Sequence, residues 1–390
     1  MFGERMPKRN IILLGLVSLI NDISSKIILP LLPLYVKQIG GGGLAIGLIS
    51  GLGDSVASIL KILSGYFSDK LGKRKPFVYL GYLVASVGKF LLAFAKSWPQ
   101  VLVLRMLERI GKGLRSAPRD ALIAASTKLS NRGEGFGIHR AMDSGGAVIG
   151  ALLAFLLYWF LGLSFTKIFL IAGCIAFAAI LPLHFVKEQP FQKHHDIKLD
   201  LKLSTLSTPL KLFILIATLF ALGNFSYMFF VLKSQSYFAN RWMIAAPILL
   251  YVVYNTSYTL LAIPVGKLSD RIGRKKVLLV GYTLFSVVCL GFIYAHSLGI
   301  FFLLFLLFGV NYAFVNATER AYVSDLADSD TRGTALGTYH MFNSIAALPA
   351  GLIAGLLWDM APEFSFVYGA GIALTVVLIF LGVWRTLPDY

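Results

Sequence analysis

Gly65-Tyr66-Phe67-Ser68-Asp69-Lys70-Leu71-Gly72-Lys73-Arg74 returns 201 residues later as Gly266-Lys267-Leu268-Ser269-Asp270-Arg271-Ile272-Gly273-Arg274-Lys275. Each copy follows an apolar run long enough to cross a bilayer and precedes another. A second echo keeps nearly the same spacing: Arg132-Gly133, Gly137 and Ser144 stand 200 positions before Arg332-Gly333, Gly337 and Ser344. Nearly constant spacing over such a length marks a duplication, so the chain is read as two related halves.

Composition places both halves in a membrane. The chain is 57% hydrophobic and only 14% charged, with a mean hydropathy of +0.75, where soluble domains carry roughly 25% charged residues. A soluble protein of this balance would expose too much apolar surface to stay dispersed. The net charge of +17 could suggest nucleic acid, but the basic residues sit in short clusters between apolar runs, as in cytoplasmic loops. Cys174 and Cys289 both fall inside apolar runs and read as packing residues, not a disulfide framework.

About twelve spans are expected. In the first half they lie near 11–38, 44–68, 76–95, 99–126, 134–160 and 164–186. In the second they lie near 209–236, 244–269, 276–296, 299–326, 333–358 and 364–386. The first run is too long for a secretory signal and lacks a small-residue cleavage site. Loops with Lys70, Lys73, Arg74 and Lys75, or with Arg271, Arg274, Lys275 and Lys276, alternate with loops of little charge. Both termini and the polar linker are therefore expected on the cytoplasmic side. The expected organisation is a six-helix half over 1–188, a cytoplasmic linker over 189–208 and a second half over 209–390. The linker's His194-His195 has no further ligand at metal spacing and reads as solvated loop, and no metal or cofactor is expected.

The repeated loop, Gly-x-x-x-Asp-Arg/Lys-x-Gly-Arg/Lys-Arg/Lys between the second and third span of each half, resembles the loop motif of the major facilitator superfamily. The resemblance implies an all-helical fold of twelve spans in two pseudo-symmetric bundles that rock about a central site. It also implies a latch formed by Gly65, Asp69, Lys73 and Arg74 in one half and by Gly266, Asp270, Arg271 and Arg274 in the other. Glycine at 65 or 266 would let a neighbouring helix come close. Asp325, near the end of the tenth span, is the expected partner of Arg274. The corresponding position in the first half is Ala125, with Asp120 as the substitute acid just over a turn earlier, so the two latches are expected to differ in strength.

The fourth span is the most unusual. Arg105, Glu108, Arg109, Lys112, Arg115 and Arg119 fall within an arc of about 120° on a helix. A cation at mid-membrane costs about 2.5–3.5 kcal/mol on insertion scales, so such a row requires water, acids or an anionic ligand beside it. Arg109-Ile110-Gly111-Lys112-Gly113-Leu114-Arg115-Ser116-Ala117 resembles the helix-four motif of proton-linked facilitators, Arg-x-x-Gln-Gly-x-Gly-x-Ala. Lys112 stands for the glutamine and Arg115 for the second glycine. The helix-five antiporter pattern ends in Gly-Pro, whereas Gly150 is followed here by Ala151. Lys26 and Arg140 join Arg109 and Lys112 as candidate anion contacts, and Asp22, Asp54, Glu108 and Asp143 are candidate proton carriers, Glu108 first among them. The second half is milder and offers Tyr254, Asn316 and Asn343 as substrate contacts. By the repeat, Asp143 corresponds to Asn343 and Arg119 to Glu319.

No phosphate-binding glycine loop, His-Glu-x-x-His or Gly-x-Ser-x-Gly is present, and no nucleophile–base pair is evident, so an enzyme is not expected. The excess of intramembrane cations favours a carrier of an organic or phosphorylated anion, working as a monomer in the cytoplasmic membrane, with proton coupling open. A drug exporter and a transporter-like sensor are the alternatives. Substrate identity and direction of transport stay open.

Overall fold

The computed structural model describes residues 5–127, 132–188, 206–327 and 332–389, and among them every regular element is a helix. The expected linker lies outside the described residues up to position 205, and so does His194-His195.

In chain order the helices are α1 (Arg5–Ile28), α2 (Leu32–Gln38), α3 (Gly43–Leu71), α4 (Lys75–Leu91), α5 (Trp98–Ala125), α6 (Arg132–Trp159), α7 (Phe165–Ala178) and α8 (Leu181–His184). The second series is α9 (Thr208–Gly223), α10 (Tyr227–Gln235), α11 (Trp242–Ile272), α12 (Arg274–Ile293), α13 (Leu298–Leu326), α14 (Arg332–Met360) and α15 (Pro362–Gly382). The described residues form two compact units. One takes in the described residues of Met1–Gly40 and Val56–Leu199, the other those of Gly41–Ser55 and Asp200–Tyr390. The division runs through α3. In the second unit, the Asp359 carboxylate accepts the N–H groups of Gly43 at 2.6 Å and Leu44 at 2.9 Å. That contact satisfies otherwise orphaned donors at the start of α3.

Eleven of the described helices, some joined across a short break, are long and apolar enough to cross a membrane. The twelfth long helix is α5, whose row of charges keeps it below the apolar threshold of the others. The first span of each series is broken. Pro30 lacks the N–H that would continue the ladder between α1 and α2. Between α9 and α10 the chain leaves the helix at Asn224, and the Ser226 side chain accepts from the N–H of Met228 at 3.4 Å to start the next piece.

The duplication is visible in single bonds. Ser86 on α4 donates to the carbonyl of Ala176 at 2.9 Å, and Ser286 on α12 donates to that of Ala370 at 3.3 Å. In the first unit α1 packs on α6, and α4 packs on α5 and α7. The α4–α5 crossing depends on a reciprocal glycine pair. A Cβ on Gly111 would lie 2.4 Å from the carbonyl oxygen of Gly81, and one on Gly81 would lie 2.6 Å from that of Gly111. Close helix approach of this kind needs small residues. Gly111→Ala is expected to cost about 1–3 kcal/mol through overpacking. A lowered unfolding temperature of the purified protein would register it, and an unchanged one would refute the close crossing.

Cys289 is buried, in keeping with a packing role, whereas Cys174 on α7 is exposed.

Candidate functional site

The repeated loop closes both α3 and α11 on a glycine with positive φ, +65° at Gly72 and +96° at Gly273. That region is strained for any residue with a Cβ. The shift of the repeat offset from 201 to 200 occurs here. Arg74 and Arg274 occupy equivalent positions, as do Lys75 and Lys275, so Lys73 is the extra residue and is exposed. Arg74 donates to Asp69 from Nη2 at 2.9 Å and from Nε at 3.2 Å, and its Nη1 reaches the carbonyl of Ala121 at 3.5 Å. Arg274 holds two carboxylates: Asp325, 2.9 Å from Nε, and Asp270. In the first loop a second carboxylate, that of Glu188, accepts the backbone N–H groups of Arg74 and Lys75, the latter at 3.2 Å.

Asp120 does not act as the substitute acid expected for Arg74. Its carboxylate is taken by the neighbouring Arg119, at 3.0 and 3.2 Å. Gly65 faces Ala117, 3.2 Å from where its Cβ would stand, but Gly266 faces open space, so close approach explains only the first glycine. Arg271 is exposed. Lys75 and Lys275, which the sequence pattern places at the membrane surface, turn onto the end of their own unit. Lys75 donates to the carbonyls of His184 at 3.1 Å and Val186 at 2.7 Å. Lys275 donates to those of Trp384 at 2.9 Å and Leu387 at 2.8 Å. Each lysine satisfies chain-end carbonyls that have no helical partner.

The α5 row splits into two environments. Arg105 and Glu108 form a buried ion pair with each other, one turn apart. Lys89, also buried, crosses from α4 to α1 and donates to the carbonyl and side-chain oxygens of Asn21, at 3.2 and 3.0 Å. Asn21 in turn donates to Asp22 at 3.2 Å. Arg115 is buried with its guanidinium 4.3 Å from the ring centre of Tyr82, a cation–π contact. Arg119 donates to Ser18 at 3.2 Å, and Ser18 meets His139 at 2.7 Å and Tyr82 at 3.3 Å. Arg109 is half-buried and Lys112 exposed. Arg140 and Asp143 pair along α6 at 3.5 Å, with the arginine largely exposed. Lys26 is half-buried. Asp54 is exposed and belongs to the part of α3 that packs in the second unit.

Four acids of the first unit are thus engaged by cations: Asp69 by Arg74, Glu108 by Arg105, Asp120 by Arg119 and Asp143 by Arg140. Helix α5 itself carries five basic side chains from Arg105 to Arg119 against Glu108 and Asp120. Arg105 Nε and Arg115 Nη1 are buried and find no hydrogen-bond partner among the described residues. The balance along α5 is therefore positive.

In the second unit, the equivalents of Lys89, Arg105 and Glu108 are Cys289, Phe305 and Phe308. Phe308 stacks on Phe230 at 4.3 Å and on Tyr254 at 4.8 Å. Buried Tyr254 also meets Tyr251 at 5.8 Å and Tyr312 at 5.9 Å, and Tyr312 meets Tyr258 at 5.0 Å. Asn316 accepts from Arg320, and Asn343 accepts from Thr218 at 3.5 Å. Residue patterns point to Glu319 and Tyr339 but not to Tyr282 beside them. Glu319 is buried, and each of its oxygens accepts one phenol O–H, from Tyr282 at 2.8 Å and from Tyr339 at 2.6 Å. The repeat held a usable signal, since Tyr82 and Tyr282 stand 200 positions apart beside Arg119 and Glu319.

Comparison with known proteins decides the family. The family model of the Major Facilitator Superfamily matches residues 14–249 and 215–389. The chain belongs to this superfamily. It is 45% identical to an uncharacterized MFS-type transporter of Methanocaldococcus jannaschii, over 97% of this chain and 96% of that one. It is 30% identical to the multidrug resistance protein MdtH of Proteus mirabilis, over 80% of this chain and 77% of the relative. The crystal structure of the nucleoside transporter NupG shares the fold, with a TM-score of 0.81 at 15% identity, covering 96% of this chain and 99% of that one. As a superfamily member with eleven apolar spans among the described residues and the charged α5, the chain is a multi-pass membrane transporter.

Proposed function

We propose that this chain is an alternating-access carrier of a small organic or phosphorylated anion. It works as a monomer in the cytoplasmic membrane, with both termini and the 189–208 segment on the cytoplasmic side. The observation that carries the anion reading is the split of α5. Its acids are engaged by Arg105 and Arg119, while Lys112 stays exposed and Arg109 half-buried one turn away. Two cations about 8 Å apart repel by about 2 kcal/mol at an effective dielectric of ~20, and a bound anion reverses that cost. Lys26 and Arg140 are the further basic contacts, and Tyr254, Asn316 and Asn343 are the second half's candidates for the polar or aromatic part of the solute.

A ligand-stabilisation screen of the purified protein tests this reading. An anion present at a hundred times its dissociation constant adds about 2.7 kcal/mol to stability, a shift that thermal unfolding resolves. Organic phosphates and carboxylates are expected to raise the unfolding temperature and lipophilic cations to leave it unchanged.

One observation favours a second reading, a drug exporter. The cluster of Tyr251, Tyr254, Tyr258 and Tyr312 suits flat lipophilic or cationic compounds, and MdtH is among the relatives. Stabilisation by lipophilic cations alone would establish that reading instead.

A further inference from the structure

The duplication has placed opposite charges in one niche. Tyr82, Arg119 and His139 of the first half stand 200 positions before Tyr282, Glu319 and Tyr339 of the second. In the first unit the niche holds a guanidinium, with Asp120 as its counter-ion and Ser18 linking it to Tyr82 and His139. In the second it holds a carboxylate with one phenol on each oxygen. The ring of Phe220 from α9 lies 4.5 Å from that of Tyr282 and shuts the niche on that side.

Glu319 is 4% exposed, and among the described residues no cation lies within ion-pair distance of it. The titratable and charged groups that bear on it are Tyr282 from α12, Tyr339 from α14 and Arg320 from its own helix. Arg320 is exposed, and its guanidinium is turned to Asn316. α9 contributes an uncharged ring, and the tyrosines of α11 face Tyr312 and Phe308 instead. A carboxylate so placed is either an uncompensated charge, which costs several kcal/mol, or it carries a proton. Glu108 differs, because Arg105 already serves as its counter-ion.

We propose that Glu319, framed by Tyr282 and Tyr339, is a proton-binding site of the second half. The frame serves both forms of the group. With the carboxylate, both phenols donate. With the acid, the Glu319 O–H donates to one phenol oxygen while the other phenol still donates to the remaining carboxyl oxygen. The proton is exchanged with water, and only one hydroxyl has to rotate. The site lies outside the basic cluster of the first unit, so it stands whether the solute is an anion or a lipophilic cation.

Infrared difference spectra of the full-length protein in lipid nanodiscs, taken between acidic and alkaline buffer, read the carboxyl directly. The wild type is expected to show a protonated-carboxyl carbonyl band in acid that vanishes in alkali, and Glu319→Gln is expected to lose that component. Tyr282→Phe and Tyr339→Phe, each missing one hydrogen bond to the group, are expected to keep the band at a higher wavenumber. A Glu319→Gln spectrum identical to the wild type overturns the proposal. So does a wild-type band that is displaced when sodium replaces choline, which would make the niche a site for a monovalent metal cation. If Glu319→Gln fails to insert, the two phenylalanine variants decide, and an unshifted band in both overturns the assignment.

Discussion

Replacing Lys112 with glutamine weakens an anionic solute about 10- to 100-fold, and Arg109→Gln does the same. That is the expected result of removing one charged contact worth about 1.5–3 kcal/mol to a desolvated anion. The two environments of α5 set the specificity of this outcome. Lys112 is exposed and Arg109 half-buried, so their loss leaves the buried Arg105–Glu108 pair and the Arg115–Tyr82 contact intact, and the protein stays folded. Arg105→Gln behaves differently. It leaves Glu108 buried without its partner, which costs about 3–5 kcal/mol and appears as lost protein, not as a changed affinity. Equilibrium binding of an anion that stabilises the wild type separates the two kinds of variant. Wild-type affinity in both Lys112→Gln and Arg109→Gln would refute the anion site.

Arg274→Gln and Arg74→Gln are each expected to alter the rate of transport. Arg274 joins Asp270 and Asp325, and Arg74 joins Asp69 while its backbone N–H donates to Glu188. These pairs are partly exposed, so each is worth less than about 1 kcal/mol after solvent screening. Two acids on one guanidinium give about 1–2 kcal/mol, enough to shift a conformational equilibrium by about 5- to 30-fold. Labelling of a cysteine placed beside either loop, with and without the substitution, measures that shift. Equal, near-zero shifts in both variants would reduce the loops to signals of membrane topology.

Much of the fold was legible because a span imposes a length and an apolar composition, and because the motif occurs twice. Twelve long segments were placed within a few residues of the helices observed. The exception that proves most useful is α5, whose charges made it conspicuous as chemistry while lowering its hydropathy as a span. Orientation within the bundle was less legible. Six charges on one arc look alike in sequence, yet Arg105, Glu108 and Arg115 are buried and Lys112 is exposed, because α4 covers only one edge of the arc. The one-residue slip at Lys73 hid the equivalence of Lys75 and Lys275, whose carbonyl partners lie more than 100 positions away. Tyr282 carries no signal of its own in the sequence, since its meaning depends on Glu319 from another helix.

Uptake into proteoliposomes of the purified wild type is the most direct test of the carrier reading, with radiolabelled organic phosphates, carboxylates and lipophilic cations offered in parallel. An anion carrier takes up at least one of the anions saturably, accelerates its entry when the same anion is trapped inside, and loses that uptake in Lys112→Gln. Saturable uptake of lipophilic cations with none of any anion would contradict the account.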